Sequence, residues 1–257
     1  MKKLLVLVLL VPVLGWAQSS FDGTWKIDLS KAQFPKKPDV LVLQNGTFQC
    51  KTCVPPIEVK ADGQPQKVTG QPYFDTMSVK VVDDKHVEQA SSKNGKEMYS
   101  EKNTLSDDGK TMSVDWVDNS APSGKTITGK TTLLRVAAGP AGSHPISGSW
   151  RAEKLADIPD EGLLVTYKTE GDSFSMTTPT GQTYKAKFDG KDVPYVGDPG
   201  ITTVSLKKLG ANAFEETDKR DGKVITVAKI STSGNTLSID VNDKLHETTS
   251  HFVASKQ

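Results

Sequence analysis

The chain has 257 residues, with 32 Lys and Arg set against 31 Asp and Glu, a formal net charge of +1 and two cysteines. So even a balance gives no electrostatic footprint for nucleic acid or an anionic membrane surface, and none is expected as a partner. With 35% hydrophobic and 25% charged residues the composition is that of a globular protein, and the length allows one large domain or two ordinary ones.

Residues 1–17, MKKLLVLVLLVPVLGWA, combine a charged start at Lys2 and Lys3, an apolar run from Leu4 to Trp16 and small Gly15 and Ala17 before the expected cut. That order predicts a cleavable signal peptide and a periplasmic or extracellular mature protein. The apolar run is shorter than the roughly 20 residues of a membrane span, and nothing later approaches that length, so no span is expected. Losing Lys2 and Lys3 with the leader takes the charge from +1 to −1.

The first strand is predicted at Phe21-Asp-Gly-Thr-Trp25-Lys, where Trp25, Ile27 and Leu29 alternate with Lys26 and Asp28. Further alternating runs follow at Met77, Val79, Val81 and at Met112, Val114, Trp116. Hairpin signals stand at Asn45-Gly46, Asn94-Gly95 and Asp108-Gly109. Between the first two of these, Cys50 and Cys53 form C-K-T-C. An exported protein pairs such cysteines. In extended chain their Cα atoms would stand about 10 Å apart, beyond the roughly 7 Å reach of a disulfide, so a bridge predicts a turn there. A thioredoxin-type redox pair would need a βαβ setting, which the alternation does not provide.

GKTITGKT, Gly124–Thr131, fits the phosphate-loop pattern G-x-x-x-x-G-K-[ST]. A working phosphate loop needs a helix after its Lys, because the helix N-terminus and loop N–H groups cradle the phosphates. TTLLRV alternates like a strand and Pro140 soon follows, so the segment reads as a Gly- and Thr-rich hairpin, and no nucleotide is expected.

Beyond the linker VAAGPAGSHP, Val136–Pro145, the chain repeats itself: Ile146-Ser-Gly-Ser-Trp150-Arg restates FDGTWK 125 residues later. Asp62-Gly63, Gly70, Pro72, Glu88 and Gly95-Lys96 return at Asp189-Gly190, Gly197, Pro199, Glu215 and Gly222-Lys223, each offset by 127. Gly109, Thr111, Ser113 and Asp115 return at Gly234, Thr236, Ser238 and Asp240. Two homologous modules are therefore expected, 18–138 and 139–257, each long enough for its own core. The second alternates at Tyr184, Ala186, Phe188 and at Leu237, Ile239, Val241, with hairpin signals at Gly171-Asp172, Asp221-Gly222 and Gly234-Asn235. No segment after the leader has a helical period. Many antiparallel strands in sequence must manage two edges, and closure removes them. The prediction is all-β: two tandem antiparallel up-and-down barrels of about eight or nine strands each.

The remaining chemistry-bearing residues read blandly. His246 and His251 in HETTSH are five apart, so on a strand they point to opposite faces and no metal site is expected. Glu215, Glu216 and Asp218 beside Lys219 and Arg220 read as charges on an exposed strand face. No nucleophile, base and orienter come together, so neither an enzyme nor a cofactor is expected.

The G-x-W openings at Gly23–Trp25 and Gly148–Trp150 resemble the first-strand signature of the lipocalin and fatty-acid-binding superfamily, and FEETDKRDGKVITVAKIS, Phe214–Ser231, is similar to its late paired strands. The chain also resembles exported bacterial proteins with lipocalin-like domains. The resemblance implies a small apolar or amphipathic ligand inside each barrel. Inward residues Trp25, Val79, Met112, Trp150, Leu206 and Leu237 would line such a cavity. Two features depart from fatty-acid-binding proteins. Only about ten residues separate the first two strands, too few for a helical lid. Arg135 in TLLRVA lacks the partner Tyr of a carboxylate clamp, and Phe252 stands at the aligned place in module two. The alternative expectation is a structural or interaction protein of the cell envelope with filled barrels.

Overall fold

The turn dipeptides set the frame of the computed structural model, which describes residues 19–257; the leader 1–17 lies outside them. Asn45-Gly46 (φ 53° and 71°), Asn94-Gly95 (52° and 79°) and Asp221-Gly222 (51° and 79°) each put two successive residues in the left-handed region. A type I′ hairpin demands that geometry. All six expected dipeptides fall between consecutive strands. Helix among the described residues is confined to two 3-10 turns, Leu29–Lys31 and Asp160–Gly162.

The strands form two antiparallel, nearly closed ten-stranded sheets. Barrel I contains β2 (Asp39–Gln44), β3 (Thr47–Cys50), β4 (Ile57–Lys60), β5 (Gln66–Lys67), β6 (Thr76–Val81), β7 (His86–Lys93), β8 (Lys96–Leu105), β9 (Thr111–Asp118), β10 (Ile127–Ala138) and β11 (Gly148–Ala156). Barrel II contains β1 (Gly23–Ile27), β12 (Leu164–Glu170), β13 (Ser173–Thr177), β14 (Thr183–Ala186), β15 (Val193–Pro194), β16 (Thr203–Gly210), β17 (Ala213–Arg220), β18 (Lys223–Ser233), β19 (Thr236–Asp243) and β20 (Thr248–Lys256). The count exceeds eight or nine because β5 and β15, two residues each, are too short to carry a period.

Closure is made differently in each sheet. In barrel II, Thr183 of β14 and Val196 beside β15 exchange both backbone bonds, at 3.0 and 2.9 Å. In barrel I the side-chain amide of Gln66 stands in for a strand: the Lys60 N–H donates to its Oε1 (2.9 Å), and its Nε2 donates to the Lys60 carbonyl (2.8 Å). Each edge strand is thus tied within the chain at one backbone position, which shortens the open edge available for pairing with another molecule.

The sheets do not divide at 138/139, where the sequence repeat does. β1 pairs with β12 (Gly23↔Tyr167 to Lys26↔Leu164) and β20 (Trp25↔Lys256 to Ile27↔Ala254). β11 pairs with β10 and β2. The first strand of each repeat therefore lies in the barrel of the other, and barrel I runs continuously from Asp39 to Ala156 between β1 and β12. The two strands make the same anchoring contacts. Trp25 Nε1 donates to the Phe21 carbonyl (2.8 Å) and Trp150 Nε1 to that of Ile146 (2.9 Å). Lys256 lies over the Trp25 ring at 5.4 Å and Arg135 over the Trp150 ring at 4.2 Å.

The exchange can be read from single variants. Trp25 is completely buried, so Trp25→Ala is expected to cost about 3–5 kcal/mol. Hydrogen exchange should show the lost protection in Leu164–Lys256 and not in Asp39–Ala156; Trp150→Ala should show the converse. Deprotection of β2–β9 by Trp25→Ala would mean that β1 belongs to barrel I.

Candidate ligand cavity

Barrel I has a solvent-open cavity of about 400 Å³ among its inward residues. Its origin lies in residue size at positions the repeat makes equivalent. Leu41 pairs with Cys50 and Cys50 with Ile57; in barrel II, Tyr167 pairs with Met176 and Met176 with Tyr184. Leu41 and Ile57 thus stand where barrel II has Tyr167 and Tyr184. The 127-residue offset likewise sets Ala61, Val68 and Val87 against Phe188, Tyr195 and Phe214. In barrel II the rings of Phe21, Phe174 and Phe214 meet at 4.9–6.1 Å, and Phe188 lies 5.1 and 5.5 Å from Phe174 and Phe214. The aromatic cluster packs the middle of that interior and leaves a polar-rimmed cleft of about 710 Å³ at its Phe21–Phe188–Phe214 end, whereas the aliphatic set leaves space among the inward residues of barrel I.

The cavity wall is apolar at Leu41, Phe48, Phe74, Met77, Leu133 and Trp150 and polar at Asp39, Thr52, Gln89, Glu101, Asn103 and Thr131. Glu101 of β8 points inward, and its Oε1 accepts from Gln89 Nε2 at 2.6 Å and Asn103 Nδ2 at 2.8 Å. Burial pushes its carboxyl upward, while bonds from Asn103, Tyr99 and Gln89 pull the other way. The Tyr99 phenol is held far above its usual range by burial and by the charge of Glu101. Tyr99 stacks on Trp116, centroids 6.4 Å apart. A Cβ at Gly129 would fall 2.1 Å from that indole, so β10 needs glycine there. The wall carries no Lys or Arg. At its margin stand Cys53, Asp39 and His246, the last from the turn after β19 of barrel II. His246 Nδ1 lies 2.7 Å from Asp243 Oδ2, and its carbonyl accepts from Lys37 (2.8 Å).

Barrel II moves the acid one strand over. Glu216 pairs with Ala228 as Gln89 pairs with Glu101, so the carboxylate takes the place of the amide and Ala228 that of Glu101. Glu216 accepts from the Tyr184 hydroxyl. Asp218 is 6% exposed and its Oδ1 has no hydrogen-bond partner in the protein. Burial raises Glu216 to about 7. Burial first, then the charges of Glu216 and Asp198, raise Asp218 to about 8. The exposed-face reading of Glu216 and Asp218 is therefore corrected: they share the inward parity of Phe214, two and four residues on, and only Glu215 and Thr217 between them take the other side.

The six expected inward residues are all buried: Trp25, Leu206 and Leu237 in the core of barrel II, Val79, Met112 and Trp150 in that of barrel I. Of these, Trp150 lies on the wall of the 400 Å³ cavity. Cys50 and Cys53 form a disulfide across a turn, Cα atoms 5.5 Å apart, and both contribute to that wall. In GKTITGKT, Gly124 (φ 75°) sits in a turn, β10 begins at Ile127, and Lys130 pairs with Asp115 at 3.0 Å. A strand follows the Lys where a phosphate loop has its helix. His246 and His251 pair separately with Asp243 and Asp240, each at 2.7 Å. Among the described residues no three His, Cys, Asp or Glu side chains are grouped to hold a metal, and no helix is long and apolar enough to cross a membrane.

No family model, curated protein or solved structure matches the chain.

The buried acids give barrel II a pH-dependent stability. A carboxyl raised on folding stabilises while it keeps its proton, fully below about pH 4 where the unfolded chain is also protonated. That contribution is lost as pH rises through about 7 and 8, where Glu216 and Asp218 ionise. Barrel II should therefore melt lower at pH 9 than at pH 5. Asp218→Asn, which cannot ionise, should flatten the slope and gain about 1–3 kcal/mol at pH 9. Melting curves across pH for both proteins check this; parallel curves count against it.

Proposed function

We propose that this is an exported, non-enzymatic binding protein of two lipocalin-like barrels, in which barrel I holds one small apolar or amphipathic molecule. The observation carrying the reading is the contrast between a hollow barrel and a filled one at equivalent register. A ligand site of this kind is concave, mostly apolar and fixed by a few polar groups, and the wall around Glu101 has that composition. The lipocalin relationship is supported by the two G-x-W strands, Gly23–Trp25 and Gly148–Trp150. Export is supported by the leader pattern of 1–17.

Barrel II supports the second reading for its own half. Its interior is occupied by aromatic rings from Phe21 to Phe214, so it serves as a scaffold, and its turn at His246 reaches the margin of the barrel I cavity.

The test is titration with a neutral lipophilic fluorophore such as N-phenyl-1-naphthylamine. A single equivalent should bind per chain, with quenching of Trp150. Leu41→Tyr, which copies the residue of barrel II, should weaken binding about tenfold or more while leaving the fold intact, a loss of about 1.4 kcal/mol or more. Two equivalents, or none, would contradict the assignment of one hollow and one filled barrel.

A further inference from the structure

The chemistry of the barrel I wall selects among ligands, and the selection rests on the ligand-binding reading above. We propose that the occupant is an amphipathic amine, its ammonium set against Glu101 and its apolar body against Phe48, Phe74, Leu133 and Trp150.

The wall bears two acids, Asp39 and Glu101, and no Lys or Arg. The third titratable side chain at its margin, His246, is engaged with Asp243. A carboxylate ligand would enter a field of its own sign. Arg135, which lies over the wall residue Trp150, is committed elsewhere: it donates at 2.6 Å to each of the carbonyls of Gly109, Ser147 and Pro145. Glu101 receives only neutral donors, and both amide donors converge on Oε1, so neither takes Oε2. An ionised carboxyl enclosed in this way is oriented without being neutralised, and buried charge is stable only when paired. A ligand ammonium supplies the missing charge. The rings of Phe48, Phe74 and Tyr99 on the same wall add faces that attract a cation.

Binding is then linked to the titration of Glu101. The groups facing Glu101 are Gln89 from β7, Trp116 from β9, Tyr99 and Asn103 from its own strand, Asp39 from β2 and the His246–Asp243 pair from barrel II. Asp118 acts on Tyr99. Lys80, Lys102 and Lys130 alternate onto the outer face of the sheet. Burial raises the Glu101 carboxyl and a paired ammonium lowers it, so amine affinity should rise with pH through the titration of that carboxyl, while a neutral ligand shows no such slope.

The experiment displaces the neutral fluorophore with three compounds sharing one body: n-octylamine, 1-octanol and octanoate. The amine should bind about tenfold or more tighter than the alcohol, about 1.4 kcal/mol, and octanoate weakest. Glu101→Gln should abolish the amine preference with the alcohol unchanged. Amine affinity of the wild type measured across pH should rise through the titration of Glu101, which needs no variant. Equal affinity for amine and alcohol, a preference for octanoate, or an amine affinity that does not change with pH, with the fluorophore still bound, would sink the amine assignment and leave the ligand-binding reading standing. Failure of the fluorophore and all three compounds to bind would sink both.

Discussion

Between β12 and β20 runs a slot one strand wide, and barrel II is a barrel only because β1 fills it. Without β1 the facing N–H and C=O groups of both neighbours would form two open edges inside the sheet. The same slot in barrel I, between β10 and β2, is filled by β11. Both fillers need glycine at the tightest point. Gly23 has φ 126° and Gly148 φ 154°, and a Cβ would lie 2.7 Å from the Lys256 side chain in one and 2.5 Å from the Ala137 carbonyl in the other. Both then send a Trp inward to be held by a carbonyl four residues earlier and covered by a cation. Two slots with the same requirements accept either strand, so chain connectivity decides. β11 follows β10 as its antiparallel neighbour and takes the nearest slot, which leaves the slot of barrel II to the N-terminal strand.

That equivalence explains what could and could not be read from the residues. Turn dipeptides and period-two alternation are local, and they placed the hairpins and the inward side of Val79, Met112, Leu206 and Leu237. The C-K-T-C turn was legible for the same reason, because the reach of a disulfide constrains a short loop whatever surrounds it. The exchange of β1 and β11 was not legible. Two first strands with matching G-[ST]-W-[KR] carry the information that they fit a slot and none about which slot.

The buried acids and the cavity were missed for separate reasons. EETDKR is charged enough to read as solvated surface, and only its parity with Phe214 marks Glu216 and Asp218 as inward. Whether a barrel is hollow is a property of summed side-chain volume, which no single strand reports. It becomes visible when the repeats are laid against each other, Leu41 with Tyr167, Ile57 with Tyr184, Ala61 with Phe188, Val87 with Phe214. The signal was in the repeat offset, read for size instead of for identity.

The two barrels also solve one electrostatic problem in two ways. Barrel II buries its acids among rings, gives Glu216 a single hydroxyl and leaves Asp218 Oδ1 without a partner; the group answers by holding its proton. Barrel I surrounds Glu101 with three neutral donors and leaves space beside it. Along that space the apolar side chains of the wall forgo packing contacts wherever nothing lies against them. Water bound at Glu101, Gln89 and Asn103 recovers part of this at the polar end. It recovers nothing along Phe48, Leu133 and Trp150, where water has no partner. The apolar length of the wall gains only from an apolar occupant, and the polar end fixes which way round that occupant lies.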